Sequence, residues 1–304
     1  MTNDFINFKK QSGFLIGLLL VLSGAVLFSI KAILIKKTYE IGETDAVSLL
    51  TLRMLFSQPF FLFTLLSVKK TEKLNGKNFA IIFGLGFIGY YVSSILDFSG
   101  LQYISASLER IILFTYPTFV VIVNRLFFKQ KLNKIVFLAL ILTYLGISLS
   151  FIFEKIQVKD LLLGGGMVLL ASFTYALYLV GTNRMVFRFG TIHFTSMTMT
   201  IATVSIFAHF LVTHSLIELF FYSFNTYFYS ILMAVFCTVL PSFMISEGIR
   251  RIGSTNSAIV ASVGPISTII LATIFLNEEI HWFQVFGGLL VVSGVTVISL
   301  FGKK

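Results

Sequence analysis

The chain has 304 residues, of which 57% are hydrophobic and only 12% charged, with a mean hydropathy of +0.94. A soluble domain carries about 25% charged residues, so this composition excludes a water-covered globule and leaves two domains or one large membrane bundle. The single cysteine, Cys237, excludes an internal disulfide framework. The net charge of +10 would suggest nucleic acid only in a soluble protein; in a membrane protein the placement of the charges matters more than their sum.

Long apolar stretches with short polar interruptions follow one another at 14–35, 46–68, 79–101, 107–128, 134–153, 161–182, 193–214, 226–248, 255–276 and 282–302. Each is near the ~20 residues that cross ~30 Å of hydrocarbon at helical rise. Connections such as "KQKLN" (129–133) and "RIGSTN" (251–256) are too short to hold a soluble domain. Pro59, Pro117, Pro241 and Pro265 all fall inside spans, which membrane helices tolerate. No stretch shows the ten-residue alternation of a barrel strand. The fold class expected is an all-α polytopic membrane protein with ten transmembrane helices. Lys9 and Lys10 precede the first span as in a signal peptide, but its apolar run outlasts an h-region, so it is expected to remain as a helix.

Ten spans put both termini on one side. If that side is cytoplasmic, the inner ends carry Lys9, Lys10, Lys69, Lys70, Lys73, Lys77, Arg125, Lys129, Lys131, Lys134, Arg184, Arg188, Arg250, Arg251, Lys303 and Lys304. The outer ends carry Lys36, Lys37, Arg110, Lys155 and Lys159. Sixteen basic residues against five predict cytoplasmic termini in a plasma or inner membrane. Trp282, Tyr222, Tyr227 and Tyr229 fall near the outer interface, where aromatic belts sit. The basic balance is therefore topology, and nucleic acid is not an expected partner.

"FGLGFIGY" (83–90) holds Gly84-x-Gly86-x-x-Gly89, the spacing of a dinucleotide-binding fingerprint. That motif needs a strand before it and a helix after it, whereas the apolar run here continues straight through. A strand–turn unit inside lipid would leave backbone groups unpaired. On a helix, Gly86 and Gly89 share a face and make a smooth patch for close packing.

The informative signal is an internal repeat. A shift of 148 residues superimposes Gly17 on Gly165, Gly42 on Gly190, Gly100 on Gly248, Gly146 on Gly294 and Pro117 on Pro265. The same shift puts Ser94 on Ser242 and Lys36 on Arg184. At ordinary glycine frequency about one glycine match is expected by chance. Each half then holds five spans, an odd number, so the halves (14–153 and 161–302) are oppositely oriented. Inverted repeats are an architecture of secondary transporters, with the substrate site between the halves. A duplicated bundle that does not transport is the alternative.

At these residues the chain resembles a known family. "GLQYISASLERIILFTYPTFVVIVNRLFF" (100–128) and "NSAIVASVGPISTIILATIFLNEEIHWFQVFGGLLVVSGVTVISL" (256–300) look like the drug/metabolite transporter superfamily, EamA-like branch. Pro265, Glu278 or Glu279, Gly287, Gly288 and Gly294 match its pattern of a proline-centred helix, a Glu and a glycine-spaced helix. "SGAVLFSIKAILIKK" and "LLTLRMLF" resemble its first two helices, with Arg53 on its second-helix arginine. The first half departs at "FFKQKL", where Lys129, Gln130 and Lys131 replace the expected Glu. The resemblance implies ten helices and carrier-mediated movement of a small metabolite, often outward.

Candidate site residues come from polar groups inside spans. Tyr90, Tyr91 and Ser94 in helix 3, Tyr116 in helix 4, and Tyr175, Tyr178 and Thr182 in helix 6 are cavity-lining candidates, with packing against backbone as the alternative. Lys31, Arg53, Asp97, Glu109 and Arg110 all fall in the outer third of the first half, whereas their repeat partners Leu179, Ile201, Ile245, Ser257 and Ala258 carry no charge. A membrane charge costs about 2.5–3.5 kcal/mol on insertion scales, so such a cluster must be paired or wet. Two acids cannot neutralise three bases. Lys31 or Arg53 is then expected to meet an anionic group of the substrate, with Asp97 or Glu109 as the proton-coupling acid; a purely structural ion-pair network is the other reading. Pro117 and Pro265 are candidate hinges. His193, His209, His214 and His281 lack metal-ligand spacing, and neither G-x-S-x-G nor H-E-x-x-H occurs, so no catalytic residue, cofactor or metal is expected. The function expected is a secondary transporter, exporting or exchanging a small metabolite such as an amino acid or related amphiphile. The alternatives are a channel or a non-transporting membrane protein. Its expected partners are the substrate and membrane lipid, with a homodimer left open.

Overall fold

The computed structural model describes residues 2–67, 74–128, 134–151, 158–261, 263–279 and 281–301, and among these the regular structure is entirely helical. In the first half, α1 (Thr2–Ile41) and α2 (Ala46–Ser67) precede α3 (Gly76–Gly86) and α4 (Ser93–Gly100), which a π-helical stretch at Phe87–Val92 joins into one rod. A broken pair follows, α5 (Ala106–Leu113) and α6 (Tyr116–Phe128), and then α7 (Lys134–Phe151). The second half runs through α8 (Val158–Phe189), α9 (Thr191–Thr213), a 3-10 turn at Leu216–Phe220, and α10 (Phe224–Ala234). A second π-helical stretch, Val235–Val239, joins α10 to α11 (Leu240–Ala261), and α12 (Val263–Leu276) and α13 (Trp282–Phe301) end it.

Among the described residues six helices are long and apolar enough to cross a membrane: Gly13–Ile41, Ala46–Ser67, Gly76–Gly100, Lys159–Thr182, Thr191–Thr213 and Phe224–Ile252, which fall on six of the ten expected spans. Val263–Leu276 and Trp282–Gly294 are shorter apolar stretches among the same residues. The fourth expected span is divided into α5, of 8 residues, and α6, of 13.

The connection expected at 251–256 lies inside the element Leu240–Ala261, yet packing shows that the chain reverses there. Gly17 lies against Ile252 and Gly24 against Ile245, so α11 runs antiparallel to α1. Farther along α1, Ser29 Oγ donates to the Gly264 carbonyl at 3.0 Å, and Thr268 Oγ1 donates back to the Ser29 carbonyl at 3.4 Å. The chain past Ile252 thus climbs α1 again.

The 148-residue spacing reappears in the backbone itself. Gly42 and Gly190, that distance apart, both hold positive φ, +79° and +77°, where a Cβ would strain the turn. Asn75 caps α3 and Ser223 caps α10, each side chain accepting from the N–H three residues on. The two π-helical stretches begin at Phe87 and Val235.

Glycines set how closely the halves approach. A Cβ on Gly100 would lie 2.6 Å from Val168 of α8, one on Gly248 would lie 2.3 Å from Val21 of α1, and one on Gly146 would lie 2.4 Å from the Gly287 carbonyl of α13. All three contacts cross from one half to the other. The same holds at "GLGFIG": Gly86 sits against Thr198 of α9 and Gly89 against Tyr178 of α8, while nothing lies within 4 Å of a Cβ on Gly84. These are packing glycines, and no strand–helix phosphate cradle is formed.

Lys69, Lys70, Lys73, Lys129, Gln130, Lys131, Lys155, Lys303 and Lys304 lie outside the described residues, as do the half-boundary positions 153 and 302. So do the side chains of Lys9, Lys10, Arg125, Lys134, Arg184 and Ala258.

Overpacking either repeat-related crossing gives one prediction. Gly100→Leu and Gly248→Leu should each destabilise the protein by about 1–3 kcal/mol, read as a lower melting temperature in detergent. Unchanged melting in both would show that the helices separate freely. A second prediction concerns the outer turn between α1 and α2. Glu43 accepts from Ser223 N and Thr226 Oγ1, both at 2.9 Å, and so ties that turn to the start of α10. The Ser223 backbone hydrogen bond holds its carboxyl below the usual value of 4.5. A depressed folded pKa adds stability above the unfolded value and loses it as pH falls through the folded one. The melting-temperature gap between wild type and Glu43→Gln should therefore be present at pH 7 and shrink as pH drops below about 4.5.

Candidate functional site

The charged residues picked from the sequence converge on one cavity of about 90 Å³. Its walls come from both halves: Lys31 of α1, Arg53 of α2, Tyr90 and Asp97 of the α3–α4 rod, and Arg110 of α5 face Tyr175 of α8 and Ile245 and Ala261 of α11.

Lys31 is buried and donates from Nζ to Asp97 Oδ2, with Glu109 Oε1 3.6 Å from the same ammonium. One cation thus serves two acids. Glu109 is fully buried in the first turn of α5, behind Lys31 and not on the cavity wall. No nitrogen or hydroxyl donor bonds to either of its oxygens or to Asp97 Oδ1, and the two carboxyls lie within hydrogen-bond reach of each other. Two acids so placed can share one proton.

Arg53 is 2% exposed and has no carboxylate within ion-pair distance among the described residues. Its guanidinium lies 4.7 Å above the Phe98 ring, and Nη2 is 3.3 Å from Ser94 Oγ; Nε has no partner. Cation–π contact and one neutral hydroxyl do not replace a counter-anion. Arg110 reaches across to the other half, where its Nη2 would be 2.9 Å from a Cβ on Gly264; its Nε is also without a partner.

Aromatic rings form the remaining wall. Phe114 packs on Tyr116 at 5.5 Å, Tyr116 on Tyr175 at 5.4 Å, Tyr175 on Tyr178 at 6.0 Å, and Tyr178 on Tyr90 at 5.8 Å. Tyr178 and Thr182 line a smaller adjoining space with Ser242 and Ser246, where Thr182 Oγ1 and Ser242 Oγ have no partner. Tyr91 does not line this cavity; its hydroxyl is 3.0 Å from His209 Nδ1 of α9.

Pro117 is the second residue of α6, where a missing N–H leaves no acceptor unpaired, and a helical break stands ahead of it at Phe114–Thr115. Its repeat partner Pro265 is buried in α12.

Glu278 is a residue whose part the sequence left open. Its carboxylate accepts from Ala106 N at 2.8 Å, Ser107 N at 3.2 Å and Ser107 Oγ at 2.7 Å. A side chain of the second half therefore caps the short helix that carries Glu109 and Arg110. The spacing after Pro265 pointed to this pair of acids, and the geometry selects Glu278 for the cap.

A sequence model of the EamA-like transporter family matches residues 15–152 and again 162–300. The chain belongs to the EamA-like transporter family. Its members are transporters, not enzymes, and this EamA-like chain passes a membrane several times. It is 31% identical over 281 residues to "Uncharacterized transporter YcbK" of Bacillus subtilis (strain 168), covering 89% of this chain and 88% of that protein. It is 28% identical over 226 residues to "Uncharacterized transporter YyaM" of the same organism, covering 73% and 74%. A solved crystal structure superposes with a TM-score of 0.67 over 96% of this chain and 98% of the other, at 12% identity, which shows a shared fold.

Removing the cap charge tests the site's support. Glu278→Gln should lower stability by about 0.5–2 kcal/mol, through lost charge-assisted bonds at the start of α5. Calorimetric or fluorescence melting of the purified protein checks it, and an unchanged midpoint would show that α5 holds its place unaided.

Proposed function

We propose that this EamA-like protein is a secondary carrier that moves a small metabolite by alternating access to the cavity between its halves. In this reading ten helices cross the cell membrane and both termini are cytoplasmic. Transport is by export or exchange, of an amino acid or a related amphiphilic compound. The observation that carries the reading is the backbone repeat: left-handed turns, caps and π-helical stretches recur 148 residues apart. Two such halves with an odd number of crossings each are inverted in the membrane, and the cavity lies where they meet. A volume of about 90 Å³ has room for a few waters only, which favours a closed carrier over an open channel. The excess of basic residues at the inner ends supports the orientation. Asp97 and Glu109 around Lys31 are the groups proposed to couple transport to protons.

Pro117 and its repeat partner Pro265 serve as hinges in this reading. A proline lacks the N–H that would bond to the preceding turn and its ring crowds that turn, so it weakens its helix locally. Alanine there restores the missing donor. A metabolite found by thermal-shift screening should exchange across proteoliposomes in counterflow, which a channel does not support. Pro117→Ala and Pro265→Ala should slow that exchange in a folded, inserted protein. Wild-type exchange in both would end the hinge assignment, and net flux without counterflow would end the carrier assignment.

A further inference from the structure

The cavity holds three cations, Lys31, Arg53 and Arg110, and the buried cluster around it holds two acids, Asp97 and Glu109. Both acids are spent on Lys31. Among the described residues neither Arg53 nor Arg110 has a carboxylate within ion-pair distance, and each keeps an unpartnered Nε. Arg53 is 2% exposed, so bulk water is kept from its charge. A buried guanidinium without an anion is expensive, and its planar fork of donors is shaped for a carboxylate. Whatever the protonation of the acids around Lys31, the two guanidiniums have no counter-anion of their own among the described residues. Around the arginines the wall is aromatic: Phe28 and Phe114, with the rings of Tyr90, Tyr116 and Tyr175.

We infer that the substrate is an organic monoanion, whose carboxylate docks on Arg53 and Arg110 while its apolar body lies against the aromatic wall. The carboxylate supplies the counter-anion that Arg53 and Arg110 lack. The rings supply area and stacking for a flat or hydrophobic body. Lys31 is excluded from this contact because Asp97 and Glu109 already hold its ammonium. Binding on the arginines thus leaves the acid–lysine cluster free to act separately. The inference rests on the carrier reading for the word substrate and, within it, selects the related amphiphilic anion over the zwitterionic amino acid; the binding it describes is measured without transport.

The test uses the full-length protein in lipid nanodiscs and four compounds with one phenylalkyl body. These are 3-phenylpropionate (monoanion), L-phenylalanine (zwitterion), 2-phenylethylamine (cation) and 3-phenyl-1-propanol (neutral). Titration calorimetry and thermal shift at millimolar ligand should show binding strongest for 3-phenylpropionate and absent for the amine and the alcohol. Arg53→Gln and Arg110→Gln should each weaken it at least about tenfold, the loss expected for one charge-assisted contact. Arg53→Lys, which keeps the charge and loses the fork, should fall between. Equal binding of the alcohol or the amine, tighter binding of the zwitterion, or no response to the acid would overturn the proposal. So would undiminished binding in both glutamine variants. The comparison of the four compounds on wild type stands even if a variant misfolds. Counterflow separates the two readings. Exchange restricted to neutral or cationic metabolites removes the anion site and leaves the carrier, whereas anion binding without exchange removes the carrier and leaves the site.

Discussion

The structure depends on close contact between helices of opposite halves. In lipid there is no hydrophobic gain from pressing one apolar helix on another, so association rests on van der Waals fit at small residues. The crossings of α1 with α11, α4 with α8 and α7 with α13 each bury a glycine where a methyl group has no space. Neither half supplies both sides of any of these contacts. The halves therefore stabilise each other, and the cavity is the gap left where side chains larger than glycine hold the crossings apart.

That gap is chemically lopsided although its frame is symmetric. α1, α2, α4 and α5 supply every charge around it, while α8 and α11 supply Tyr175, Ile245 and Ala261. The second half contributes position instead. Gly264 gives Arg110 room to lie flat, and Glu278 fixes the start of the helix that presents it. Duplication thus provides two copies of a backbone, and divergence of side chains has assigned binding chemistry to one and support to the other.

Much of this was legible in the sequence because apolar length and glycine register are coarse signals that survive divergence. The 148-residue shift located Gly42 with Gly190 and Gly100 with Gly248, and these pairs prove to share a turn and a type of crossing. The charge cluster was legible because ionised groups inside lipid are rare enough to need one another. Pairing was not. Which cation takes the acids depends on rotation about α1 and on the place of α5, and neither follows from spacing. That Tyr90 lines the cavity while Tyr91 meets His209 of α9 depends on the rotation of the π-helical stretch, which a count of aromatic residues does not carry. The reversal after Ile252 was expected, but its helical backbone was not, since "RIGSTN" reads as turn residues. The π-helical stretches have no composition of their own, and only their shared register reveals them.

The uneven charge has a consequence for energetics. If two inverted halves had identical side chains, the form open to one side and the form open to the other would be mirror images in chemistry and equal in free energy. Leu179, Ile201 and Ile245 stand where the first half has Lys31, Arg53 and Asp97, so that equality is broken. In the carrier proposed above, opening the charged side hydrates ions and opening the apolar side wets hydrocarbon, so water sets the two forms at unequal free energy before any ligand arrives.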